Sequence, residues 1–182
     1  ISTGDPTDFM EEAAEHANHI LYVPGNHEFY GHEYHSRLEF LKSLPCITLH
    51  NRTIEIDGIT FAGTTLWTDF NGEDWFAKQH AKKEMNDFYH IKWHNRKFDP
   101  DDTVNLNYKD RHFLYNNIAD VIITHHIPDT YFVVDKYKNS LLTPAFANNN
   151  INFLKLQPKL WVFGHTHDSV NKQEDNTLFI CN

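Results

Sequence analysis

Leu21-Tyr22-Val23-Pro24-Gly25-Asn26-His27-Glu28 is a short apolar run that stops at a proline and a glycine and turns at once into polar side chains. The run from His19 to Val23 is expected to be a buried strand, with Pro24-Gly25 as its stop. The same arrangement recurs twice. Ala119 to Thr124 reads as a buried strand followed by His125-His126, and Leu160 to Phe163 as another followed by Gly164-His165-Thr166-His167. In open α/β sheets, ligands bind in the crevice beyond the carboxyl ends of the strands. Three polar clusters delivered to one such edge can converge.

The residue types suit a metal. Neutral imidazole ligates first-row ions, and an Asn carbonyl is a hard oxygen donor natural for Mn or Mg. The spacing of His165 and His167 lets two rings reach two nearby points from a tight loop, and Gly25 and Gly164 are expected to supply unusual backbone angles and close approach. Taken singly, each cluster has an ordinary reading. A histidine after a strand is a polar loop residue, and Pro-Gly-Asn-His is turn chemistry. The joint occurrence, in order and after three strands, points to a shared site.

Working outward, Asp5-Pro6 and the Ala/Glu-rich stretch behind it predict a helix over roughly 6–18. A helix is expected over roughly 33–43, then strands at Cys46 to Leu49, Thr53 to Ile56 and Ile59 to Leu66, with Asp57-Gly58 as a hairpin turn. Residues 72–117 are rich in His, Lys, Asp and aromatics; they read as a mostly helical insertion whose pattern breaks around Asp99-Pro100. Pro144 to Leu156 reads as a helix, and Leu178 to Cys181 starts a last strand. Strands alternating with helices, plus a hairpin, predict an α/β layered domain with a mixed sheet.

The 182 residues fit one domain, taken as 1–182 with the 72–117 insertion inside it, and 40% hydrophobic content is that of a globular chain. Both ends read as cut, because the chain opens at Ile1 without a methionine and closes within a strand pattern. Two cysteines, Cys46 and Cys181, argue against a disulfide framework and fit a reducing, cytoplasmic compartment. No apolar run approaches the ~20 residues of a membrane span. A net charge of −9 disfavours long nucleic acids as partners.

The motifs resemble those of the calcineurin-like metallophosphoesterase superfamily, whose signature runs Asp-x-His, Gly-Asp, Gly-Asn-His-Asp/Glu, a later His, and Gly-x-His-x-His or Gly-His-x-His. Gly25-Asn26-His27-Glu28, Thr124-His125-His126 and Gly164-His165-Thr166-His167 match the last three blocks in order. Val23 to Gly31 and Thr124 to Pro128 are similar to the versions in small single-domain bacterial or phage-type members. The resemblance implies an α-β-β-α sandwich and a dinuclear centre that hydrolyses phosphomono- or diesters of small substrates with a metal-activated water. It implies two divalent ions, Mn²⁺ first, with Fe or Zn as alternatives. Asn26, His125 and His165 would bind one ion and His167 the other. His125 rather than His126 would be the ligand. His27 would stand beside the phosphate as the catalytic acid, and Glu28 would orient its neighbours. The Asp-x-His block is absent. Gly4-Asp5 is a formal candidate for the Gly-Asp block, with a helix N-cap as the competing reading of Asp5.

Two further readings stay open. The basic residues His80, His90, Lys92, His94, Arg96 and Lys97 could meet substrate phosphates or simply form a solvated face. Trp67, Trp75 and Trp93 could stack on a base, or pack. A catalytically inactive scaffold of the same fold, binding a protein partner, is the alternative to an enzyme; the whole Gly-Asn-His and Gly-His-x-His blocks weigh against it.

Overall fold

The computed structural model describes residues 10, 12, 13, 15–149 and 151–181. Asp5, and residues 6–9, 11 and 14 of the helix expected over 6–18, lie outside the described residues; positions 10, 12 and 13 are helical. The first described strand is β1, Leu21–Tyr22, which pairs in parallel with β2, Ile47–Thr48, across the helix α1, Tyr34–Lys42. Glu33 caps α1 by accepting the Ser36 N–H at 2.8 Å.

The main sheet has six strands: β3 (Arg52–Ile56), β4 (Ile59–Thr64), β7 (Val121–Thr124), β8 (Leu160–Val162), β9 (Val170–Glu174) and β10 (Thr177–Cys181). Their spatial order is β3-β4-β7-β8-β10-β9. The four central strands run parallel, and the hairpins β3/β4 and β9/β10 make the edges antiparallel, so the sheet is mixed. Strand β9 had no sequence expectation; its Val-Asn-Lys-Gln-Glu run is polar because an edge strand faces water on one side. The register explains the core. Ala62, Ile122, Trp161 and Phe179 sit in one row across four strands, and each is at most 1% exposed. Alternate residues of a strand share a face, so this row defines the buried side of the sheet.

Residues 75–116 carry α2 (Trp75–Glu84), α3 (Asp87–His90), the two-stranded hairpin β5/β6 (Lys92–Trp93 with Arg96–Lys97) and α4 (Pro100–Asn116). The helical pattern breaks before Asp99-Pro100, as expected, and this pair starts the next helix. Asp99 and Asp102 form a reciprocal capping box with Pro100 in the first turn, where a missing N–H costs nothing. Arg96 forks onto Asp102 at 2.6 and 2.7 Å, and Lys97 donates to the Tyr89 carbonyl at 2.5 Å, so both basic groups already have partners. Helix α4 joins two apolar clusters: Leu106 packs with Tyr34, Trp67, Phe88 and Phe98, and Leu114 with Ile122, Trp161 and Phe179. Trp67 is core; Trp93 packs on Tyr34 and Phe98; Trp75 is exposed.

The helix expected over Pro144 to Leu156 is two short ones, α5 (Thr143–Phe146) and α6 (Phe153–Leu156). Between them, Ala147 bridges Ile127, and the buried Asn148 side chain bonds the Leu66 carbonyl and Asn107. Pairing of this backbone with the 125–128 loop outweighs the local helical pattern. Among the described residues, no helix is long and apolar enough to cross a membrane.

Candidate metal centre

Strands β7 and β8 are parallel neighbours, so the turns that follow them emerge side by side. The Gly164 N–H donates to the His125 carbonyl at 3.1 Å and locks the two turns together. The Trp161 indole N–H donates to Thr124 Oγ1, which donates on to the His126 carbonyl, each at 3.0 Å. A core side chain thus sets the path of the 125–126 loop. The turn after β1 is tied to the same edge by Thr65 Oγ1, which donates to the Pro24 carbonyl at 2.9 Å.

Three of the expected ligands meet. His125 Nε2 lies 3.0 Å from Asn26 Oδ1 and 3.0 Å from His165 Nδ1. The Asn26 amide is not free to flip, because its Nδ2 donates to the Asp87 carboxylate at 2.8 Å and to the Tyr30 hydroxyl at 3.3 Å. Its oxygen must therefore face His125. One proton on His125 Nε2 can fill one of its two short contacts well. If Nε2 carries none, two lone pairs face each other across the Asn26 contact. A cation at the common focus would resolve this by taking a lone pair from all three atoms. The spacing fits as well: ligands about 2.1 Å from an ion at right angles stand about 3.0 Å apart. The donor set, two imidazole nitrogens and one amide oxygen, is one that divalent first-row ions accept.

Electrostatics prepare the histidines for this. Burial holds His125 and His165 well below the usual histidine range, and neighbouring histidines push them down further. Both are neutral near pH 7 and present lone pairs rather than N–H⁺ groups. His126 is fully buried and its burial lowers it to about 4. Its Nδ1 lies 3.2 Å from the Thr65 carbonyl, so it faces the β4 end rather than Asn26.

The glycine expectation divides. Gly25 serves close approach alone: a Cβ there would stand 2.4 Å from the His125 ring. Neither Gly25 nor Gly164 has a positive φ. The unusual angles fall on the histidines themselves, with φ of +66° at His165 and +56° at His167. The Thr166 N–H returns to the Gly164 carbonyl at 2.8 Å, closing a three-residue turn around His165. Such strain persists where the surroundings over-determine it, and it clusters at functional sites.

His27 and His167 stand exposed at the rim. Both are near enough for their charge to depress His125 and His165. The His27 ring lies 4.7 Å from that of Tyr30. Glu28 accepts the Gly25 N–H at 2.9 Å and so fixes the turn that carries Asn26. Asp87 and Tyr30 had no sequence expectation as site residues. Asp87 is 2% exposed and accepts from both Asn26 and Tyr30. Burial raises its pKa, and these two hydrogen bonds oppose the rise. Nothing local links position 87 to position 26; Asn86-Asp87 simply reads as a helix start.

A profile of the Calcineurin-like phosphoesterase family matches residues 1–169. The chain belongs to this family. A protein of Acanthamoeba polyphaga mimivirus, described as uncharacterized protein L509, is 31% identical over 90% of this chain and 69% of its own length. A phosphopantetheinyl hydrolase from Mycobacterium tuberculosis has a similar fold, with a TM-score of 0.64 at 12% identity over 92% of this chain and 70% of that one. The turns after β1, β7 and β8 of this calcineurin-like phosphoesterase family member thus carry its Asn26, His125 and His165 side by side.

Proposed function

We propose that the chain hydrolyses a small phosphate mono- or diester at a dinuclear centre of divalent cations, Mn²⁺ first. The observation that carries this reading is the 3.0 Å convergence of Asn26 Oδ1, His125 Nε2 and His165 Nδ1. These three would hold one ion and His167 would contribute to the other, with Asp5 as a candidate bridge. A pair of divalent cations supplies Lewis acidity, bringing the pKa of a water to about 7 and taking up phosphoryl charge.

The chain's own residues do the rest. Asn26, His125 and His165 bind through neutral donors, so the site keeps its positive charge for the substrate anion. Asp87 and Tyr30 orient Asn26. The Phe146 ring stacks on His165 at 4.7 Å and shields that side from water. His27, exposed beside them, donates a ring N–H proton to the departing oxygen, a role worth roughly 10²–10⁴-fold.

The test is Mn²⁺-dependent hydrolysis of bis-p-nitrophenyl phosphate, with p-nitrophenyl phosphate as the monoester arm. Chelator-sensitive turnover that disappears in His27→Ala is expected. A folded full-length protein with no turnover in Mn, Fe, Zn or Mg would overturn the reading in favour of a binding scaffold.

A further inference from the structure

A separate group of ligating side chains gathers where α1 meets the β5/β6 hairpin. Glu33, the cap of α1, is pinned through one oxygen: Oε2 accepts the Ser36 N–H at 2.8 Å and the Ser36 hydroxyl at 2.9 Å. Its other oxygen, Oε1, points to His35, whose Nδ1 lies 3.0 Å away. His94 arrives from the turn between β5 and β6, with φ of +51°, and its backbone N–H reaches the same Oε1 at 3.3 Å. The His94 ring lies almost parallel to that of His35, at 4.7 Å and 13°. One ligand atom from each of the three residues lies within 4.8 Å of the others.

The frame under this group is firm. Glu33 and Lys92 form a parallel bridge, and the Lys92 N–H donates to the His32 carbonyl at 2.9 Å. The Trp93 ring packs 4.6 Å from His35 and 5.0 Å from Tyr34, which is 1% exposed. Helix and hairpin are therefore held together before any ligand arrives. Although desolvation opposes it, hydrogen bonds from Ser36 and His35 hold the Glu33 carboxyl well below the usual range, so it is an anion at all ordinary pH.

We propose that Glu33, His35 and His94 form a second transition-metal site, taking Zn²⁺ through two imidazoles and one carboxylate with water at the remaining positions. Two nitrogens and one oxygen are a donor set that zinc accepts, and hard ions such as Mg²⁺ prefer all-oxygen surroundings. Coordination needs ligand atoms about 3–3.5 Å apart. The exposed His35 and His94 rings can close the remaining gap by side-chain rotation alone. A bound ion would staple the first turn of α1 to the hairpin. The proposal is independent of phosphoesterase activity, because it shares no residue with the strand-end cluster.

The test counts zinc by elemental analysis after equilibrium dialysis, in the full-length protein and in His35→Gln and His94→Asn. Asparagine tolerates the positive φ at position 94. The unaltered protein should hold one zinc per chain more than either variant, with Mn²⁺ binding unchanged in all three. A second measurement needs no variant: zinc titrated into the unaltered protein should shift the His35 and His94 imidazole NMR signals. Equal zinc in all three proteins, or zinc that moves only the His125 and His165 signals, would overturn the proposal.

Discussion

Asn26, His125 and His165 stand on strand ends, half-sunk in the protein, whereas Glu33, His35 and His94 stand on a helix cap and a hairpin, largely in water. In the first cluster the lone pairs crowd one another; two contacts of 3.0 Å meet at one nitrogen. In the second, the carboxylate already satisfies its neighbours. Burial is what separates them. It strips water from the strand-end imidazoles and keeps them neutral, so a cation there would relieve unsatisfied lone pairs. At the helix cap a cation must compete with water and with existing hydrogen bonds.

The largest effect should come from the exposed rim. His27→Ala should lower turnover by roughly 10²–10⁴-fold while metal content, measured by elemental analysis, stays nearly unchanged. Equal loss of both would mean that His27 belongs to the metal shell instead.

The burial half of the contrast can be isolated at His50, which lies in neither cluster. Its burial, with help from Lys42 and Lys109, lowers it to about 4. The folded state then binds fewer protons than the unfolded one. Stability is fully present above about pH 6.5 and is lost as pH falls toward 4, by up to about 3 kcal/mol. Asp110 opposes this: burial raises it to about 6, so its cost is relieved as pH falls through that value. Comparing wild type with His50→Gln by urea unfolding at pH 7 and pH 5 removes the shared Asp110 contribution. The difference between the two proteins should shift with pH, and a constant difference would mean that His50 is not held neutral.

Gly25→Ala tests the close packing of the strand-end cluster. A Cβ placed 2.4 Å from the His125 ring must displace it, at a cost of about 1–3 kcal/mol in stability. Thermal unfolding would register the loss, and Gly164→Ala, where the nearest atom is 3.7 Å away, should cost less. Asp87→Ala frees the Asn26 amide and should weaken Mn²⁺ binding by roughly 10–100-fold. A calorimetric titration that finds unchanged affinity would show that Asn26 is oriented without it.

Much of this was legible in the residues. The strands at 59–64, 121–124 and 160–162 lie inside the expected ranges because buried parallel strands are unbroken apolar runs with sharp stops. The helix at 34–42 was legible from its pattern. The break expected around Asp99-Pro100 is there, between the hairpin and the helix that starts at Pro100; only the structure shows it to be a cap, because a strong cap and a break look alike without knowing which side is helical. The 143–156 segment misled because Asn148 spends its hydrogen bonds on residues 66 and 107, which no local pattern reveals.

The sequence by itself determined which chemistry could be present: an amide and histidines, each placed just past a strand, and a family signature that needs all of them. Only the tertiary structure decided their geometry. The parallel pairing of β7 with β8 puts two turns side by side, and the Thr65–Pro24 bond ties in the third. Asp87, 61 residues from Asn26, chooses which atom of the amide faces inward. Local preference acts over a few residues, whereas the orientation of a buried polar group is set by whichever partner the fold brings to it.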